Sequence, residues 1–213
     1  ESVGRLPGVS AAAAVLDAPF ASNVRTIQFL LPGNAVPARV PVQHVSNGYF
    51  QTMRVRLVAG RMFEPADRAW LPRSGSVNVV VSESLARQLG DEVLGAKLIF
   101  ASQPYLVVGV VGDVTHEDYR ENDLPAVYIP SNTFDSIQSL LVRSSPGVTV
   151  SAAAIRQAVQ EFDPTLVVTA VHPVAMLLER SLAAEALRAR RAWLFRSPGG
   201  LLAGAGFYAI GGR

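Results

Sequence analysis

Residues 41–63, PVQHVSNGYFQTMRVRLVAGRMF, constrain this chain more than any other stretch. The run over 40–45 reads as a short strand, and Pro41, which has no backbone N–H to donate, suits an edge position. Ser46 offers a hydroxyl to an orphan backbone amide and predicts a helix start. Tyr49, Phe50 and Met53 then share one helical face, and Gly60-Arg61 predicts a turn. The unit is strand, short helix and turn, with bulky side chains to bury. It holds no nucleophile–base pair and no glycine run fit to cradle a phosphate.

The remaining chain is written in the same style. LPGV at 6–9 is a turn, 11–16 a short apolar strand and 24–31 another, before Pro32, Gly33 and Pro37 break the chain. Residues 64–76 read as a loop rich in Pro, Asp and Arg. Residues 77–81 predict a strand, Ser82 a cap, and Leu85, Ala86 and Leu89 the inward face of a helix closed by Gly90. Residues 98–100, 105–111 and 126–129 predict three more strands of a mostly antiparallel sheet. Beyond Phe134 the order becomes strand (140–143), helix (151–162), strand (167–171), helix. Ala152, Ile155, Val159 and Phe162 recur at helical period, Asp163-Pro164 stops the first helix, and Pro173 opens the second. Such an order predicts a two-layer unit of sheet and helices.

The final helix carries Leu178, Leu182, Ala186, Ala189 and Trp193 on one stripe. Over 173–195 it would extend about 33 Å, enough to stand out as a stalk. The apolar run at 201–210 is too short to span a bilayer, which takes about 20 residues. The chain opens on Glu1 without an initiator Met or a signal-type apolar region, and reads as a piece of a longer protein; if that protein is exported, its targeting signal lies upstream.

Composition narrows the function classes. Of the 213 residues 49% are hydrophobic and 17% charged, so a sizeable core is available and disorder is excluded. A net charge of +2 provides no field for nucleic acid. The absence of cysteine removes disulfides, Cys-based zinc sites and thiol nucleophiles. The sharpest chemical candidate is Asp113, His116, Glu117 and Asp118, which could ligate a divalent ion, but all four sit on one polar turn and read as a solvated loop. Gly109, Gly112 and Asp113 mimic a phosphate loop without its spacing and read as a strand ending in a turn. His44 and His172 stand alone. Arg188, Arg190 and Arg191 read as a solvated helix face, or as contacts to lipid headgroups if a membrane helix follows. No catalytic, cofactor-binding or metal-ligating residue is assigned.

Several segments, taken in order, carry a resemblance: VSNGYFQTMRVRLVAGRMF at 45–63 with Asp67 after it, VVVSESLAR at 79–87, VLGAKL at 93–98, VVGVVGDV at 107–114 and PAVYIP at 125–130. Together with LLVRSS, a helix, DPTLVV and a final helix, they make about residues 5–187 resemble the MacB-like periplasmic core domain of FtsX/MacB-family ABC transporter permeases, nearest the duplicated orphan subgroup. Ser82 stands where that family usually has Asn; both residues cap helices. The resemblance implies an α+β fold in two subdomains. One is a porter-like β-α-β unit built from both chain ends, 1–37 and 136–195, with the stalk helix. The other is an inserted, mostly antiparallel β subdomain with short helices over 38–135. Residues 196–213 would be a degenerate start of a transmembrane helix, with RRAWLFRSPGG departing from the family's continuous apolar run.

The implied function is that of a non-catalytic extracytoplasmic domain. It would lie on the periplasmic side of the bacterial inner membrane and transmit motion from ATP hydrolysis by an ATP-binding cassette subunit to a periplasmic adaptor or cargo protein. The membrane would be reached through flanking helices; no cofactor and no nucleic acid are implied. The alternative is a periplasmic ligand-binding module for a lipid, peptide or small molecule, which calls for an apolar pocket.

Overall fold

The computed structural model describes residues 2–17, 25–68, 75–114, 125–131, 139–177 and 179. Nine strands appear in chain order: β1 (Val9–Val15), β2 (Thr26–Phe29), β3 (Ala38–Val45), β4 (Leu57–Gly60), β5 (Val77–Ser82), β6 (Lys97–Phe100), β7 (Gln103–Val111), β8 (Val127–Pro130) and β9 (Ser139–Ser144). Among the described residues, α1 (Tyr49–Met53) and α2 (Glu83–Leu89) lie between strands and α3 (Ala152–Phe162) follows β9. Single 3-10 turns form at Val3–Arg5 and Pro65–Arg68. The fold class is α+β, as expected.

The main sheet runs β4-β7-β5-β8-β3-β1-β9, with β2 on β3 and β6 on β7. It is mixed. The β3–β8 and β5–β7 pairs are parallel and the other six are antiparallel. Parallel neighbours need a crossover, and here each pair is joined through intervening elements.

The sheet also closes on itself. Leu30 and Ile99 form an antiparallel bridge, exchanging N–H···O bonds of 2.8 and 3.0 Å. That bridge joins β2 to β6 and completes a ring, β2-β3-β8-β5-β7-β6. Inward residues alternate along each stave, as pleating requires: Phe29; Val40 and Val42; Val127 and Ile129; Val79 and Val81; Val107; Leu98. A bulge in β5–β7 pairing after Val79 lets Val110 join the same interior. Leu85, Ala86 and Leu89 of α2 pack on this core. Ser82 starts α2, its Oγ accepting from the Leu85 N–H, and Gly90 ends it at φ +87.

A second core lies against the outer face of the same wall. Val45, Val80, Val111 and Tyr128 point outward and meet Ala13, Val15, Tyr49, Phe50, Phe63 and Leu141. The 5.1 Å edge-to-face contact of Phe50 on Tyr128 and the 5.5 Å contact of Tyr49 on Phe50 order this aromatic cluster. β1 pairs with β9 over most of its length, so the first strand and the last meet in one ladder.

Three expectations need correction. Ser46 does not cap α1. Its Oγ accepts the Ala14 N–H at 2.9 Å, and its carbonyl accepts the Tyr49 N–H at 3.0 Å. The helix follows Gly48, whose backbone is already in the helical region, leaving the Ser46 hydroxyl to tie the turn to β1. The turn read at Gly60-Arg61 is the end of an additional strand, β4. Residues 167–171 form no strand; they run without ladder partners, with Val167 80% exposed. β propensity alone does not hold a strand, since its stabilisation comes from a neighbour. β2 falls within the expected end-built unit yet pairs with β3 of the expected inserted block. A helical turn opens at Pro173, whose carbonyl accepts from Met176 at 3.0 Å. The rest of the expected stalk, apart from residues 174–177 and 179, lies outside the described residues, as do Arg188, Arg190, Arg191 and 196–213.

Candidate functional site

Asp67, Ser82 and Asp113, noted in the sequence, lie at the necks of two loops, and β5 holds both. The first loop leaves β4 and returns at β5. Arg61 and Asp67 form a forked pair there, Nη1 to Oδ2 at 2.6 Å and Nη2 to Oδ1 at 3.0 Å. Asp67 Oδ2 also accepts the Glu64 N–H at 2.7 Å, and Oδ1 accepts from Asn78 Nδ2 at 2.7 Å. Asn78 sits at the start of β5, so the carboxylate pins both sides of the neck. The Asp67 side chain is only 3% exposed. The hydrogen bond from Arg61 is the main cause that holds its pKa down to about 2, opposed by burial and helped by Asn78 and the Glu64 amide.

The second neck lies at the other end of β5. Asp113 Oδ1 accepts the Ser84 N–H at 2.9 Å, and Oδ2 lies 3.6 Å from Arg87 Nη2. Ser84 Oγ shares a hydrogen with Ser82 Oγ at 2.9 Å. Ser82 Oγ in turn accepts the Ala126 N–H at 2.9 Å. Asp113 and Ala126 flank the loop 115–124, so this relay of two buried serines ties its outgoing and returning stems. Beside it Arg56 Nη2 donates to Glu83 Oε2 at 2.7 Å. The loop itself lies outside the described residues, as do His116, Glu117 and Asp118.

These contacts decide the chemical readings. Asp113 is committed to a backbone amide and an arginine, so the proposed cluster loses its one described carboxylate to structure. Among the described residues no group of three or more His, Asp or Glu is placed to hold a metal. Gly109 is no phosphate-loop glycine. It sits within β7 opposite Gly60 of β4, and a Cβ on it would overlap the Arg61 carbonyl oxygen. Gly60 is at φ +70, and a Cβ there would meet the Val108 carbonyl oxygen. The pair exists so that two backbones can approach. His44 lies on β3 near Asp17 and Arg25, its pKa lowered first by burial and then by Arg25. His172 is exposed.

Sequence reasoning found Ser82, Asp67 and Asp113 as separate residues but missed the necks they close. Asn78 and Ser84 carried no signal, because their partners are 11 and 29 residues away. The whole constellation is a set of charge-assisted and buried polar clamps. It can hold two loops in fixed position; it has no nucleophile beside a base.

The architecture is an α+β domain with a closed ring of strands, a second core on its flank and clamped loop stems. The model of the MacB-like periplasmic core domain matches residues 1–161, and the chain belongs to that family. Its relatives are periplasmic or extracellular domains of ABC-type transporter permeases. The fold is similar to the periplasmic region of MacB from Actinobacillus actinomycetemcomitans (TM-score 0.53, 16% identity, 76% of this chain and 71% of that one). It is also similar to a domain of a permease protein from Porphyromonas gingivalis (TM-score 0.50, 22% identity, 75% and 71%). The extracellular domain of the noncanonic ABC-type transporter YknZ from Gram-positive bacteria aligns at a TM-score of 0.47 and 18% identity, over 73% of each chain. No curated protein matches significantly. Among the described residues no helix is long and apolar enough to cross a membrane.

Proposed function

We propose that this chain is a non-catalytic relay and docking domain of an ABC transporter permease, held on the periplasmic side of the bacterial inner membrane. The observation that carries this reading is the family match across 1–161. ATP hydrolysis by a separate ATP-binding cassette subunit moves the membrane helices. The motion reaches the domain through its two ends and is passed to the β1–β9 ladder, which joins the first strand to the last. The stalk over 173–195 acts as the lever. The loops 64–76 and 115–124, rooted in clamped necks, contact a periplasmic adaptor or cargo protein. On this reading the domain divides into an end-built unit (1–37 and 136–195) and an inserted block (38–135), with β2 of the first paired to β3 of the second and moving with it.

Deleting residues 1–177 from the whole permease tests the proposal. Basal ATP hydrolysis by the assembled transporter is expected to persist while transport is lost; transport that survives the deletion overturns it. Titrating the purified chain with ATP is expected to give no binding, and tight binding would count equally against the relay.

A further inference from the structure

The ring of six strands is not equally strong all round. The β5–β7 ladder runs from Val77↔Tyr105 to Ser82↔Val111, and β6–β7, β2–β3 and β3–β8 each hold four consecutive register pairs. The β5–β8 pairing is short, but it is buttressed by the Ser82 link to Ala126 and by both cores. The β2–β6 junction rests on one residue pair, Leu30↔Ile99, with its two hydrogen bonds. Leu30 is 38% exposed, so water reaches the seam from outside. Inside, Phe29 bridges the gap, sharing the buried core with Leu31 and Leu98. Phe29 of β2 meets Phe100 of β6 edge-on at 6.1 Å and Tyr105 of β7 at 5.3 Å. Phe100 is itself 38% exposed, and the β6–β7 turn beyond it holds Ala101 and Ser102 at φ 47 and 67.

From this we infer that β2 is a hinged stave: the barrel opens laterally between β2 and β6 while β2 stays paired with β3. Local opening takes the path that breaks the fewest strand pairings, and here that path breaks two backbone hydrogen bonds, the aromatic latch and the packing of Phe29 and Leu31 in the inner core. The moving stave has a handle. Arg25, just before β2, lies with its Nε 3.4 Å from Asp17 Oδ2, just after β1, and its carbonyl accepts the Val42 N–H at 2.9 Å. A displacement of β1 therefore reaches the stave directly. Opening turns the Phe29 face and the Leu98 and Tyr105 side of the interior toward solvent. The inference stands on the strand pairing alone and holds whether or not the chain works as a relay.

Hydrogen exchange on the purified chain tests it, resolved amide by amide. The Leu30 and Ile99 amides, which bond only across the seam, are expected to exchange at least roughly tenfold faster than the Val79 and Val107 amides. The β2–β3 ladder amides should stay slow. Because the chain has no cysteine, a Leu30→Cys, Ile99→Cys pair can be oxidised cleanly. Directly paired strand residues lie near the separation a disulfide spans, and the bridge should abolish the fast exchange. Seam amides as slow as those of β5–β7 would overturn the inference. So would equally fast exchange throughout the β2–β3 ladder, which would mean that β2 detaches as a whole.

Discussion

Asp67 shows how one side chain converts a sequence motif into a fixed neck. It takes four hydrogen bonds, from Arg61 twice, Glu64 and Asn78. Replacing it by Ala leaves these four donors without their acceptor and is expected to cost about 2 kcal/mol, moderated because the Arg61 side chain is 38% exposed and rehydrates. The pH dependence follows in sign. The folded pKa of about 2 lies below the ordinary 3.8, so the carboxylate stabilises the fold fully above the ordinary value and loses that contribution as pH falls toward 2. The difference is about 1–2 kcal/mol after allowing for that exposure. Denaturant midpoints of wild type and Asp67→Asn, measured from pH 6 to pH 2, should converge at the acid end. Parallel curves would show that the carboxylate's charge contributes nothing. Gly109 is as specific in a different way. Gly109→Ala pushes β7 from the Arg61 carbonyl and is expected to cost more than about 2 kcal/mol, read as a lowered thermal midpoint.

At the scale of elements, the Phe100–Gln103 hairpin is the clearest departure from what local chemistry favours. Two-residue turns with positive φ at both central positions favour Asn-Gly, yet here they are Ala101 and Ser102. Exchanging the pair for Asn-Gly is expected to raise stability by about 1 kcal/mol, with a matching shift in denaturant midpoint and an unchanged slope. An unchanged midpoint would mean that the turn is not strained. That hairpin also marks the limit of what the sequence discloses. The strands at its sides were legible from apolar runs, α2 from its capping serine, whose predicted bond forms, and α3 from the helical spacing of Ala152, Ile155, Val159 and Phe162. The segment 167–171 misled, because VVTAV looks like a strand whether or not a partner edge is present. β4 was hidden because four residues with two arginines nearby give no periodic signal. The closure of the ring was invisible, since it depends on one pair, Leu30 and Ile99, 69 positions apart. The necks were half legible: charge and turn residues located Asp67 and Asp113, while only the folded register brings Asn78 and Ser84 to them.

For the molecule as a whole, the decisive feature is one wall of strands with a core on each side. Along β5, Val79 and Val81 face the barrel interior while Val80 faces the aromatic cluster; along β8, Val127 faces in and Tyr128 out. The outer core depends on the chain ends, because β1 is held by β9, and Arg143 of β9 donates to the Thr52 carbonyl at the end of α1. The barrel has no such dependence, as its staves all lie between Thr26 and Pro130. Leu141→Ala, in β9, therefore separates two possibilities. The cavity is expected to cost about 2–4 kcal/mol. If the outer core is its own cooperative unit, hydrogen exchange quickens in β1, β9 and α1 while the β5–β7 amides keep their protection. A uniform increase that includes Val79 and Val107 would show a single unit with no independent lobe. Selective loosening is what a relay requires, because a domain that receives motion through its ends must let one side shift while the side that carries the clamped necks keeps its shape.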